Sequence, residues 1–313
     1  MLIMLDVKLN EAQPIISMKY IMLSRPERGQ DLSIKVSAPS TGEDLPVILF
    51  AHGFGSSQDG YEPLADFWAA HGFFVIQPTF LDSKRIHLSD DDPRMQSLWR
   101  IRVDDMKHIL DNLDYIESLV PGLQGRIDYH RIVTAGHSFG GQTAGNLLGL
   151  QVMDPVTYAS EDLSDSRVQG GVLLATAGEG GDKLTQFAVD NFSFLNPNFK
   201  YMNKPTLIIA GDADHSPLTV EGPEWMTEPY YKSPGSKSLL NLYDAEHSLG
   251  GIPGYDVKET TDDNPQRVEL IQYATWAYFR YVLNIESASW LALCDQFNNS
   301  NNDLGVIISK NDD

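Results

Sequence analysis

Short aliphatic runs alternate along this 313-residue chain with longer stretches in which apolar residues recur every three or four positions. The runs lie at 32–38, 46–51, 73–77, 131–135, 170–175, 206–210 and 238–243. Several of them (VILFA, FFVIQ, GVLLA, TLIIA) are apolar without alternation, as expected of strands covered on both faces. The helical stretches are 61–71, 98–120, 138–150 and 267–283. In the last, Val268, Ile271, Thr275, Tyr278, Phe279 and Val282 form one apolar stripe. Such alternation predicts a doubly wound, mostly parallel α/β sheet flanked by helices. No internal repeat interrupts it.

Two connections are too long for simple turns. Residues 176–205 carry Phe187, Phe192, Phe194, Phe199 and Tyr201, and residues 212–237 carry Trp225, Tyr230, Tyr231 and four prolines. Insertions of this kind either line or cap a pocket, or form a satellite apolar cluster under a long loop. On this reading residues 1–294 make one α/β domain with two pocket-lining insertions. Residues 295–313, with five Asn and four Asp, make a poorly packed tail.

Composition narrows the function. A formal charge of −20 (23 Lys and Arg against 43 Asp and Glu) repels phosphate backbones and anionic membrane surfaces. Neither is expected as a partner. The lone cysteine, Cys294, excludes an intramolecular disulfide and a multi-cysteine metal site. No apolar run approaches the roughly 20 residues that span a bilayer. The opening residues lack a basic leader and Asp6 breaks their apolar stretch, so no signal peptide is read there and a soluble, cytoplasmic protein is expected.

The strongest chemical signal is Gly136-His137-Ser138-Phe139-Gly140, which follows the run RIVTA and opens a helical stretch. A serine on a sharp strand-to-helix turn projects its hydroxyl outward, and small residues two places away let neighbouring backbone pass. That hydroxyl needs a base, and the base needs an orienter. In an elbow of this type the chain order is serine, acid, histidine. Only two of the eight histidines, His215 and His247, follow Ser138. His247, beyond the last predicted strand of the sheet, is the expected base, with His215 lining the pocket or facing solvent. The acid is Asp214 or Asp212, and Asp214, farther along its loop, is favoured; the other becomes a loop-capping carboxylate. Glu246 reads as surface. Two backbone N–H groups are needed for an oxyanion: Phe139, and Phe54 in the loop His52-Gly53-Phe54-Gly55 after the run VILFA. Gly53 would allow the tight turn there, and His52 would bond to the loop. His52, Gly53, His215 and Trp225 are the candidate pocket residues, and Gly250–Tyr255 is either a pocket wall or a plain turn.

The segments AHGFGSS, GHSFGGQT, IIAGDADHSP and AEHSLGG resemble the α/β-hydrolase superfamily, and within it the branch of platelet-activating-factor acetylhydrolases, chlorophyllases and dienelactone-hydrolase-like proteins. The likeness runs from Leu32 to Leu283. It implies an α/β-hydrolase fold, Ser138 as nucleophile, Asp214 as acid, His247 as base, and Phe54 and Phe139 as oxyanion donors, with no cofactor. Dienelactone hydrolases proper carry a cysteine where this chain has Ser138, and haloalkane dehalogenases carry an aspartate. The expected activity is therefore a serine carboxylic-ester hydrolase acting on a small-molecule ester. The alternatives are a lactonase, thioesterase or amidase on the same three side chains, a non-catalytic binding protein, and a metal-dependent hydrolase built on Asp212, Asp214 and His215.

Overall fold

The computed structural model describes residues 9–89, 91–154, 157–255, 262–299 and 302–311. The opening segment in which no leader was read falls largely on residues 1–8 and so lies outside the described residues. Nine strands form one sheet: β1 (Ile15–Leu23), β2 (Leu32–Pro39), β3 (Leu45–Ala51), β4 (Phe74–Thr79), β5 (Ile127–His137), β7 (Val168–Leu174), β9 (Thr206–Gly211), β10 (Lys237–Leu242) and β11 (Gly305–Lys310). Their order is β1-β2-β4-β3-β5-β7-β9-β10-β11. The strands from β4 to β10 in that order pair in parallel, while β1, β2 and β11 join antiparallel at the two edges. A two-stranded ribbon of β6 (Gln151–Val152) and β8 (Pro197–Asn198) stands apart from it.

The unbroken apolar runs have the cause expected of them. In β3 every residue is buried, and its side chains feed two layers alternately: Val47, Leu49 and Ala51 one way, Ile48 and Phe50 the other. The first layer packs against α2 (Leu98–Asp111), α3 (Leu113–Leu119) and α4 (Phe139–Leu147) through Val103, Met106, Ile116 and Leu147. The second packs against α1 (Glu62–Ala70), α7 (Pro265–Val282) and α8 (Ala288–Asn299) through Trp68, Trp276, Phe279 and Trp290. The stretch expected as one helix over 98–120 is two, because Asn112 departs from helical geometry (φ −121°) and its side chain donates to the carbonyl of His108 at 2.8 Å.

The described residues of the tail, 295–299 and 302–311, correct an expectation, the remaining four lying outside the described residues. Residues 295–299 complete α8, whose Trp290, Leu293 and Phe297 share a helical stripe on the second layer. The VIISK segment pairs with β10 as β11, burying Ile307. Asn302 prepares the turn, its side-chain oxygen accepting the N–H groups of Leu304 and Gly305 at 3.0 Å each. Asparagine here shapes a turn between packed elements rather than marking a loose end.

The two long insertions hold each other. Thr185 N–H donates to Leu218 O at 3.0 Å, Val220 N–H to Lys183 O at 2.9 Å, and the Trp225 indole N–H to Glu179 O at 2.9 Å. Lys183 is ion-paired with Glu228. Within them lie the short helices α5 (Gln186–Asn191) and α6 (Glu228–Lys232). Trp225, Met226 and Tyr230 form a small apolar cluster with Ile208, Ala210 and Leu239. Among the described residues, no helix is long and apolar enough to cross a membrane.

Candidate functional site

Ser138 stands between β5 and α4 with φ 56° and ψ −121°, a left-handed conformation rare outside glycine. Its N–H is tied to Leu174 O at 2.8 Å. The glycines on either side answer to close approach. A Cβ on Gly136 would lie 2.0 Å from Gly140 O, and one on Gly140 would lie 2.0 Å from Ala51 O. Strand, turn and helix can cross at this distance only without side chains there.

The loops after β9 and β10 complete the cluster. His247 Nε2 lies 2.9 Å from Ser138 Oγ, and His247 Nδ1 lies 2.8 Å from Asp214 Oδ2. Asp214 is buried, at 2 % exposure, while His247 keeps a partly open face. Asp212 points elsewhere and accepts the Asp244 N–H at 2.6 Å, tying the two loops together. Asp262 steadies the histidine loop from behind, accepting the N–H groups of Glu246 at 2.8 Å and Gly250 at 3.0 Å.

A second chain of bonds runs under the first. The Gly53 N–H donates to Tyr61 Oη at 3.0 Å, and the Tyr61 hydroxyl lies 2.8 Å from His137 Nδ1. His137 Nε2 lies 2.8 Å from the carbonyl of His247. A carbonyl only accepts, so Nε2 carries the proton and Nδ1 accepts from the tyrosine. Burial, with the neighbouring His247, pushes the pKa of His137 down to about 3, which keeps the ring neutral. His52 is likewise neutral, lowered to about 4 by burial and the nearby Arg102. Its Nδ1–H donates to Gly53 O at 2.6 Å and its Nε2 accepts the Phe80 N–H at 3.1 Å.

In the loop 52–55, the Gly53 N–H is taken by Tyr61 and the Gly55 N–H by Asp82 at 3.1 Å. The Phe54 amide between them has no acceptor among the described residues. The Phe139 amide opens α4, where the first N–H groups of a helix lack intrahelical acceptors. The two residues face one another, their ring centroids 6.2 Å apart.

Ser138, Asp214 and His247 open onto a cavity of about 620 Å³. Its walls come from both insertions: Phe192, Phe194 and Leu195 from one, Pro217, Leu218, Trp225 and Met226 from the other. The insertions thus line a pocket and also form an apolar cluster, with Trp225 and Met226 in both. Phe54, Phe192 and Phe194 also border a second, more polar hollow of about 1080 Å³, so these rings partition two spaces.

Of the other sequence candidates, Trp225 and the exposed His215 line the cavity. His52 and Gly53 do not, because both are sealed beneath the loop by the bonds above. Gly53 is glycine for lack of room: a Cβ there would meet Tyr61 Oη at 2.9 Å. Glu246, read as surface, is half-buried and borders the cavity. Gly250–Tyr255 is a series of turns outside the lining. Among the described residues no group of three His, Cys, Asp or Glu is placed to hold a metal ion.

Sequence reasoning passed over Tyr61, Asp82 and Arg102, and left His137 without a role. Arg102 carried a signal: with Asp105 it places a charge on the face of α2 that Leu98, Met106 and Ile109 make otherwise apolar.

The sheet order, the serine elbow and the loops that follow β9 and β10 are those of the α/β-hydrolase fold. The chlorophyllase family model matches residues 14–159, just under half of the chain. That stretch holds the loop 52–55 and Ser138, but neither Asp214 nor His247. Platelet-activating factor acetylhydrolase of Cavia porcellus is 26% identical over 155 residues, covering 36% of this chain. The chain spans about a third (34%) of that curated relative's length.

Proposed function

We propose that the protein is a serine hydrolase of carboxylic esters, working through an acyl-enzyme. The observation that carries the reading is the continuous path from Ser138 Oγ to His247 at 2.9 Å and on to Asp214 at 2.8 Å. The matched chlorophyllase model and the acetylhydrolase relative support the same class of bond. His247 Nε2 takes the Ser138 proton as Oγ attacks the acyl carbon, and Asp214 holds the imidazole in the tautomer that leaves Nε2 free to accept. The N–H groups of Phe54 and Phe139 receive the oxyanion of the tetrahedral intermediate. His247 then hands its proton to the leaving alcohol, and a water deprotonated by the same imidazole cleaves the acyl-enzyme.

The mostly apolar walls suit an ester whose acyl or alcohol part is aliphatic or aromatic. Lactones, thioesters and amides would meet the same groups, and a panel of the four substrate types separates them. The deciding experiment is Ser138→Ala with p-nitrophenyl butyrate. Turnover should fall by about 10⁴-fold or more, and a fluorophosphonate should label wild type once, on the peptide containing Ser138. Near-wild-type turnover in the variant would end the assignment.

A further inference from the structure

Behind the cavity wall, out of reach of substrate, sits the fully buried side chain of Arg102 on α2. One Nη–H group donates to the carbonyl of His52. The other donates to Asp82 Oδ2 at 3.1 Å, and that same oxygen accepts the Gly55 N–H at 3.1 Å. The guanidinium carbon lies 4.2 Å from the centroid of the Phe80 ring and 4.3 Å from that of Phe139.

One side chain therefore grips the loop 52–55 at its first residue directly and at its last residue through Asp82. Its flat face meanwhile supports the ring of Phe139. We propose that Arg102 is a positioning residue for the oxyanion hole, fixing where the Phe54 and Phe139 amides point. The inference rests on the ester-hydrolase reading. Two acceptors in different directions and two stacked rings require a planar fork, which lysine does not supply. Burying a charge pair for stability alone is a weak device, since apolar replacements of similar volume often leave a protein as stable or more so. Aiming a backbone donor is a different matter, because small misplacements of such a group are costly in rate.

The test compares wild type, the charge-free double variant R102M/D82L, and R102K. The readouts are kcat and KM on p-nitrophenyl butyrate, the thermal midpoint, and the inhibition constant of a trifluoromethyl ketone, whose hemiketal oxyanion occupies the hole. Inactivity of wild type and no label on Ser138 would sink the functional reading before any variant is made. With wild type active, both variants should keep KM within about twofold while kcat falls about 10- to 100-fold, and ketone affinity should weaken in parallel. Folded variants with kcat within about threefold of wild type, or a loss confined to KM, would overturn the proposal. If neither variant folds, the pair is architectural and the proposal is equally overturned.

Discussion

Two neutral, fully buried imidazoles make the fold sensitive to mild acid. His137 and His52 have native pKa values of about 3 and about 4 against 6.5 in the unfolded chain. Their stabilising contribution is complete above about pH 6.5 and is lost as the pH falls toward 4 and then 3, because only the unfolded state takes up the protons. Each proton is worth about 1.4 kcal/mol per pH unit, so each histidine removes about 2 kcal/mol by pH 5. Two such losses are large against a total stability of about 5–15 kcal/mol. Asp105 works in the opposite sense: burial raises its carboxyl to about 6, so the native state gains a proton there and offsets one of the two. A variant isolates the histidine term. His137→Gln retains a donor for the His247 carbonyl and removes the titration. Urea melts of wild type and variant at intervals from pH 7.5 to 4.5 should diverge, wild type losing about 1.4 kcal/mol more per pH unit below 6.5. Parallel curves, or a His137 ring that titrates above pH 6 by nitrogen NMR of the native protein, would refute the reasoning.

Other outcomes follow from the same geometry. Asp214→Asn should lower kcat by about 10⁴-fold, whereas Asp212→Asn, whose carboxylate only caps the Asp244 amide, should stay within about tenfold of wild type; p-nitrophenyl ester kinetics separate the two. Gly136→Ala forces a Cβ to 2.0 Å from a backbone oxygen and should cost more than about 3 kcal/mol, read as a fall in thermal midpoint. Phe192→Ala breaches the aromatic partition between the two hollows, and a chain-length series of p-nitrophenyl esters should show its optimum shifted to longer acyl groups.

The parts of the molecule legible in the sequence are those with strong local patterns. The apolar runs at 46–51, 131–135 and 206–210 became β3, β5 and β9 because strands buried on both faces have no polar positions to blur them. The edge strand β1 was missed, since most of its residues face solvent and Met18, Tyr20 and Met22 give no clean alternation. The elbow motif was visible because its strained turn restricts which residues fit, and Asp214 and His247, which lie within hydrogen-bond distance of one another, were visible because each follows a clear apolar strand run. The partners of Arg102 and Tyr61 were hidden for the converse reason: they lie 20, 50 or 76 residues away, and although the apolar stripe marks Arg102 itself, no local spacing announces such a contact.

The strand at the carboxyl end has a practical bearing on how this chain tolerates being shortened. β11 occupies the outward flank of β10, with Ser309 bonded to Ser238 at 2.8 Å and Lys310 reaching Ser233 O at 2.6 Å. A truncation at residue 294, which the Asn- and Asp-rich composition invites, would bare a row of amides and carbonyls one strand away from the β9 loop that presents Asp214. Exposed rows of that kind recruit other chains; β11, itself the outermost strand, shifts that row one strand farther from the Asp214 loop and keeps any edge-to-edge docking off β10.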